Sequence, residues 1–186
     1  NTEVCKILLD SKASPSVHTD AGNTPLHYFV RTSVISILNH PQYESVLDKL
    51  TTQTSATFKN KQGECALHFA AMSGNTAAIR LLVVTKKVDV NTTNNANDTP
   101  LHYAIRSGKE NAVRFLLRLG ADMEICGKDG NALQIAIKDN RHGLLSILNA
   151  NLLQLNARRE SLGVLDSVDE VRTDFYGFPV DPCNWK

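Results

Sequence analysis

Asn94-Asn95-Ala96-Asn97-Asp98-Thr99-Pro100-Leu101-His102-Tyr103-Ala104-Ile105 decides the fold. Five polar or small residues form a turn, and Asn97 stands where a left-handed backbone is expected, which asparagine tolerates better than most residues with a Cβ. Thr99 is placed to cap a helix through its hydroxyl. Pro100 follows at the first helical position, where its missing N–H costs nothing. Leu101, Ala104 and Ile105 then make one apolar stripe at helical spacing, and Ser107-Gly108 ends the helix. A second helix carries Ala112, Val113, Leu116 and Leu117 on one face and closes at Gly120. Neither helix buries its stripe within the unit, so neighbouring units must supply the missing core.

The same signature occurs as Thr24-Pro25-Leu26-His27 and Cys65-Ala66-Leu67-His68, and in decayed form as Asn131-Ala132-Leu133-Gln134. Leu26, Leu67, Leu101 and Leu133 are 41, 34 and 32 residues apart. A period near 33 residues marks a stacked array of helical units. The combination of Gly22-Asn23-Thr24-Pro25-Leu26-His27, Leu101-His102-Tyr103-Ala104 and Gly120-Ala121-Asp122 resembles the ankyrin repeat. The resemblance implies an all-α ankyrin-repeat solenoid, with helix pairs stacked and turn tips projecting to one side. Expected units are a partial repeat at 1–18, an enlarged repeat at 19–59, repeats at 60–93 and 94–126, and a terminal repeat at 127–150. A C-terminal helical cap at 151–172 and an aromatic linker or tail at 173–186 follow.

Departures from the pattern are informative. Val4, Ile7, Leu8 and Leu9 suit a second helix without a first one, so the chain is expected to be part of a longer protein. After Val30 the first complete unit continues through Val34-Ile35-Ser36-Ile37-Leu38, and Tyr43, Val46, Leu47 and Leu50 form its second helix. In the next unit Lys87 replaces the closing glycine and one residue is added nearby. The fourth unit loses one tip residue and lacks both proline and histidine, as a capping repeat does. Leu152, Leu155, Leu162 and Leu165 are expected to pack on the end of the stack, with a break near Gly163. Asp174, Tyr176, Gly177 and Phe178 are similar to the segment that leads into the catalytic domain of TBC-type GTPase-activating proteins of Rab GTPases. That resemblance implies an ankyrin segment regulating an attached enzyme. The catalytic arginine and glutamine motifs of that family are absent here, so the fragment itself is expected not to be an enzyme.

Composition narrows the classes further. A formal charge of +1 over 186 residues gives no global field towards nucleic acid. The longest apolar runs, such as Leu81-Leu82-Val83-Val84, are too short to span a bilayer. Cys5, Cys65, Cys126 and Cys183 are dispersed, which suits free thiols in a reducing compartment and a cytoplasmic location. Phosphate-binding glycine loops, HExxH and GxSxG are absent. Cys65 and His68 lie three apart, but one pair does not complete a tetrahedral metal site. His27, His68 and His102 recur at one position, which suits hydrogen bonds between neighbouring turns. No cofactor or metal is expected.

The variable positions are therefore the candidates for binding. In ankyrin arrays partners usually contact turn tips and the exposed side of the first helices, so the resemblance implies partner-binding roles for Lys61, Glu64, Asn95, Asp98 and Lys128 on the tips. On the first helices it implies Arg31, Met72, Arg106 and Lys138. Arg31, Arg106 and Lys138 would form one column of cations around Met72, suited to a protein or acidic peptide with an apolar anchor. The chain is expected to be a monomer.

Overall fold

A computed structural model describes residues 14, 17–31, 41–51 and 56–161. The expectations for the N-terminal half-repeat, the Val34–Leu38 extension, Leu162 and Leu165, the break at Gly163 and the aromatic tail lie outside the described residues. Within them the chain is all-α, in successive helix pairs. The pairs are α1 (Pro25–Val30) with α2 (Pro41–Leu50), and α3 (Ala66–Ser73) with α4 (Thr76–Arg80). They continue with α5 (Pro100–Arg106) and α6 (Glu110–Arg118), then α7 (Ala132–Lys138) and α8 (His142–Ser161). First helices pack on first helices, α1 on α3, α3 on α5 and α5 on α7; α4 packs on α6, and α6 on α8. One continuous core runs through the stack.

The core follows from the repeat. Leu26, Leu67 and Leu101 are fully buried at equivalent places, each worth about 2–5 kcal/mol against alanine. Ala70, Ala71, Ala104 and Ala136 are also fully buried, and their small side chains let the first helices approach closely.

The recurring histidine holds the helix starts and the stack together. Thr24, Cys65 and Thr99 each form a reciprocal capping box with the histidine three residues on. The backbone N–H of each cap donates to His Nδ1, at 3.1 Å for His27, 3.1 Å for His68 and 2.9 Å for His102. A backbone N–H only donates, so Nδ1 accepts and the ring proton sits on Nε2. His27 Nε2 then donates to the Glu64 carbonyl at 3.2 Å, and His68 Nε2 to the Asp98 carbonyl at 3.1 Å, each in the following unit. The aromatic residue of that unit packs edge-on against the same ring, Phe69 at 5.3 Å from His27 and Tyr103 at 5.2 Å from His68.

The last junction differs. Asn131 and Gln134 build a capping box of their own, at 2.8 and 3.0 Å, in place of the threonine or cysteine and the histidine of the earlier units. His102 Nε2 is buried without a hydrogen-bond partner. The carbonyl at the equivalent place, on Gly130, accepts from Gly127 N–H at 3.1 Å across the shortened tip.

The residue added before Lys87 is absorbed inside a helix. Leu81–Thr85 forms a π-helical turn, with Lys86 N–H on the Leu81 carbonyl at 3.0 Å. The chain leaves it through Lys87 at φ 58°, doing a glycine's work with a Cβ attached. Asn97 is left-handed as expected, at φ 59°.

Helix α8 runs unbroken through residue 150, where a separate cap was expected to begin, because Asn149-Ala150-Asn151 holds no glycine or proline to stop it. Leu152 packs against the core, whereas Leu155 is 41% exposed. Cys65 is a buried free thiol. Cys126 is disulfide-bonded, which corrects the expectation of four free thiols and removes its support for a reducing compartment.

Replacing Lys87 by glycine relieves the left-handed strain and should raise stability by about 1 kcal/mol in urea unfolding. Burial lowers the pKa of all three histidines, that of His68 from 6.5 to about 4. Above pH 6.5 neither folded nor unfolded His68 is charged; between 6.5 and 4 only the unfolded chain takes up the proton. Stability should therefore fall as pH drops through that window, by roughly 3 kcal/mol from His68 alone. His68→Gln should flatten the pH dependence of the unfolding midpoint.

Candidate partner interface on the turn tips

The second and third tips are asparagine-centred turns. Asn60 Oδ1 accepts from the backbone N–H of Gln62 and Glu64 at 3.0 and 2.9 Å, and Asn94 Oδ1 accepts from Ala96 and Asp98 at 2.9 and 2.9 Å. Neighbouring tips are tied edge to edge. Lys61 N–H donates to the Ala21 carbonyl and Asn95 N–H to the Gln62 carbonyl, both at 3.0 Å. The Asn95 and Asn97 amides donate onward to the Lys61 and Cys126 carbonyls at 3.0 and 2.7 Å. Gly63 combines φ 76° with a close approach, since a Cβ there would collide with the Asn95 side chain. The tips thus form a fixed ledge.

Between the second and third tips lies an open groove of about 390 Å³. Lys61, Gln62 and Glu64 line one side, Asn95, Ala96 and Lys128 the other, with Tyr103 and Asp98 between them. The Tyr103 hydroxyl donates to Glu64 Oε1 and accepts from the Asn94 amide at 3.0 Å. Burial, with the Glu64 carboxylate beside it, pushes the Tyr103 phenol well above its ordinary pKa, so it stays a donor. Asn60 donates to Glu64 Oε2 at 2.8 Å. Glu64 is held from both sides while Lys61, Asn95 and Lys128 are exposed.

Asp98 and Arg106 meet in a two-pronged ion pair at 2.9 and 2.9 Å, with the carboxylate only 3% exposed. Lys128 N–H adds a third bond to Asp98 at 3.2 Å. Gly127 is needed beside it, because a Cβ would overlap Asp98 Oδ1. Arg106 also reaches Asp129 at 3.0 Å, and Lys138 meets the other Asp129 oxygen at 3.2 Å. The Lys138 hydrogen bond, with Arg106 nearby, holds the Asp129 carboxyl below its ordinary pKa. Arg106 and Lys138, expected in one column of cations, are thus paired with Asp98 and Asp129. Arg31 is exposed at the end of α1, and Met72 is half-buried against the core.

The nine expected residues thus divide. Lys61, Glu64, Asn95, Asp98 and Lys128 converge on the groove. Arg31, Met72, Arg106 and Lys138 do not line it. Tyr103 and Asn94 do and were not anticipated; the aromatic residue after each histidine, at Tyr28, Phe69 and Tyr103, was the available signal. The Cys65 thiol lies 3.3 Å from His68 Nδ1, but burial raises its pKa, opposite to what a nucleophilic thiolate needs. Among the described residues no group of three or more His, Cys, Asp and Glu could hold a metal ion, and no helix is long and apolar enough to cross a membrane.

Arg106→Gln strands the buried Asp98 carboxylate and should cost about 3 kcal/mol in urea unfolding. Adding Asp98→Asn should recover part of that loss, and the double-mutant cycle measures the coupling.

The family of ankyrin repeats (3 copies) matches residues 35–127. No curated protein matches the chain. The family match does not reach Asp174–Phe178, which also lie outside the described residues, so the likeness to GTPase-activating proteins gains nothing from it. Repeat spacing, stacked helix pairs, histidine-tied turns and the family match agree, and the chain belongs to the ankyrin-repeat family.

Proposed function

We propose that this chain is a protein-binding module that takes its partner on the tip ledge, centred on the groove between the second and third tips. Ankyrin repeats are protein-interaction modules, and that general role applies here. The observation that carries the finer reading is the convergence of Lys61, Glu64, Asn95, Asp98 and Lys128 on one groove of about 390 Å³. Two exposed lysines flank it, while the acids within it are already held by Tyr103, Asn60 and Arg106. A partner offering carboxylates to Lys61 and Lys128 would meet two exposed ammonium groups. The rigid ledge lowers the ordering cost of binding. The neutralised first-helix positions Arg106 and Lys138 shape the wall rather than supply charge. In this reading the chain acts as a monomer and needs no cofactor.

Charge reversal tests the ledge. Lys61→Glu with Lys128→Glu should weaken capture of a lysate partner by at least about tenfold, with the unfolding midpoint unchanged because both side chains are exposed. A partner retained at wild-type level by the folded double variant would remove the tip reading.

A further inference from the structure

The row of second helices carries a separate groove of about 460 Å³ between α4 and α6. Asn111, Arg114, Phe115 and Arg118 line it from α6 at positions i, i+3, i+4 and i+7, which share one helix face. Ala77 and Arg80 line it from α4. All three arginines are exposed, whereas Ala77 and Phe115 are half-buried and packed against the core, giving the groove an apolar floor. Among the described residues no acidic side chain lines it. Glu110, one turn before Arg114, directs its carboxylate instead against Gly143 at the start of α8. Arg114 and Arg118 make no hydrogen bond or ion pair among the described residues.

This contrasts with Arg106, which Asp98 and Asp129 neutralise. The whole chain carries only +1, so the groove is a local concentration of cations rather than part of a general field. Arg114 and Arg118 are one helical turn apart, about 6 Å along the axis. Carboxylates two residues apart on an extended peptide are separated by about 6.6 Å. Guanidinium forks suit carboxylates, and Phe115 offers an apolar seat beside them.

We propose that the groove between α4 and α6 is a second binding site, for an extended peptide segment bearing two carboxylates two residues apart and an apolar side chain next to them. The two acids pair with Arg114 and Arg118, Asn111 hydrogen-bonds the peptide, and the apolar side chain rests on Phe115 and Ala77. The site is distinct from the tip ledge and independent of it.

Fluorescence anisotropy of the full chain with a fluorescein-labelled peptide GSEAEALG, in about 50 mM salt to limit screening, tests the site. Expected is saturable binding that weakens about tenfold in Arg114→Gln/Arg118→Gln and is abolished in Arg114→Glu/Arg118→Glu. Binding should stay within about twofold of wild type in Lys61→Glu/Lys128→Glu, which separates this site from the tip ledge. The peptide GSQAQALG should not bind. Retained binding by the glutamine double variant, equal binding of GSQAQALG, or loss of binding only in the tip variant overturns the proposal. So does an oligo-dT probe that binds as tightly as GSEAEALG and loses affinity in the same arginine variants, which would make the groove a polyanion site.

Discussion

A buried imidazole that accepts on one nitrogen and donates on the other governs this array. Nδ1 closes the N-terminus of its own helix and Nε2 reaches the backbone of the following unit, so one side chain couples local helix initiation to long-range stacking. Protonation at Nδ1 would break the first bond and place charge in the core, which is why burial keeps the ring neutral. The ring also fixes distance. The carbonyl it finds is the last residue before the next cap, so the tip in between must be the right length. Tip length in turn places Lys61, Asn95 and Lys128 along one edge.

Charge is distributed in two manners. Where the third and fourth tips meet, two cations and two acids interlock, and the Asp98 carboxylate is almost wholly removed from water. Such a cluster holds geometry and leaves little field. Lys61 and Lys128 on the tips, and the arginines along α4 and α6, stay at the surface. Counting basic residues by repeat position therefore misleads: equivalent places in the repeat hold a neutralised arginine in one unit and a solvated one in another.

The stack was legible because its signals are local. Thr99-Pro100-Leu101-His102 names a cap, a first turn and a buried stripe within four residues, and Asn97 announces a left-handed turn. What stayed hidden depends on residues far apart or on backbone freedom. Asp98 is eight residues from Arg106, a separation that no helix rule pairs. Tyr103 and Glu64 are 39 residues apart and meet only once the units stack. An added residue ahead of Lys87 could have lengthened a loop; the helix took it as a π turn, and Ile79 before it and Val88 after it both stay buried. The length of α8 was missed because leucine spacing shows where a helix has a face, not where it ends.

The orphaned Nε2 of His102 bears on how the array comes apart. In a one-dimensional stack, stability divides into what each unit holds alone and what each interface adds. The first two interfaces between complete units each contain an imidazole bond and an edge-on aromatic contact. At the third, the bond is missing and Ile135 stands where Phe69 and Tyr103 stood. That seam is held instead by the Arg106–Asp129 ion pair and by the Lys128 N–H on Asp98, so it rests on charge where the earlier seams rest on a neutral ring. Added salt, which screens ion pairs, therefore acts on the last junction more than on the first two.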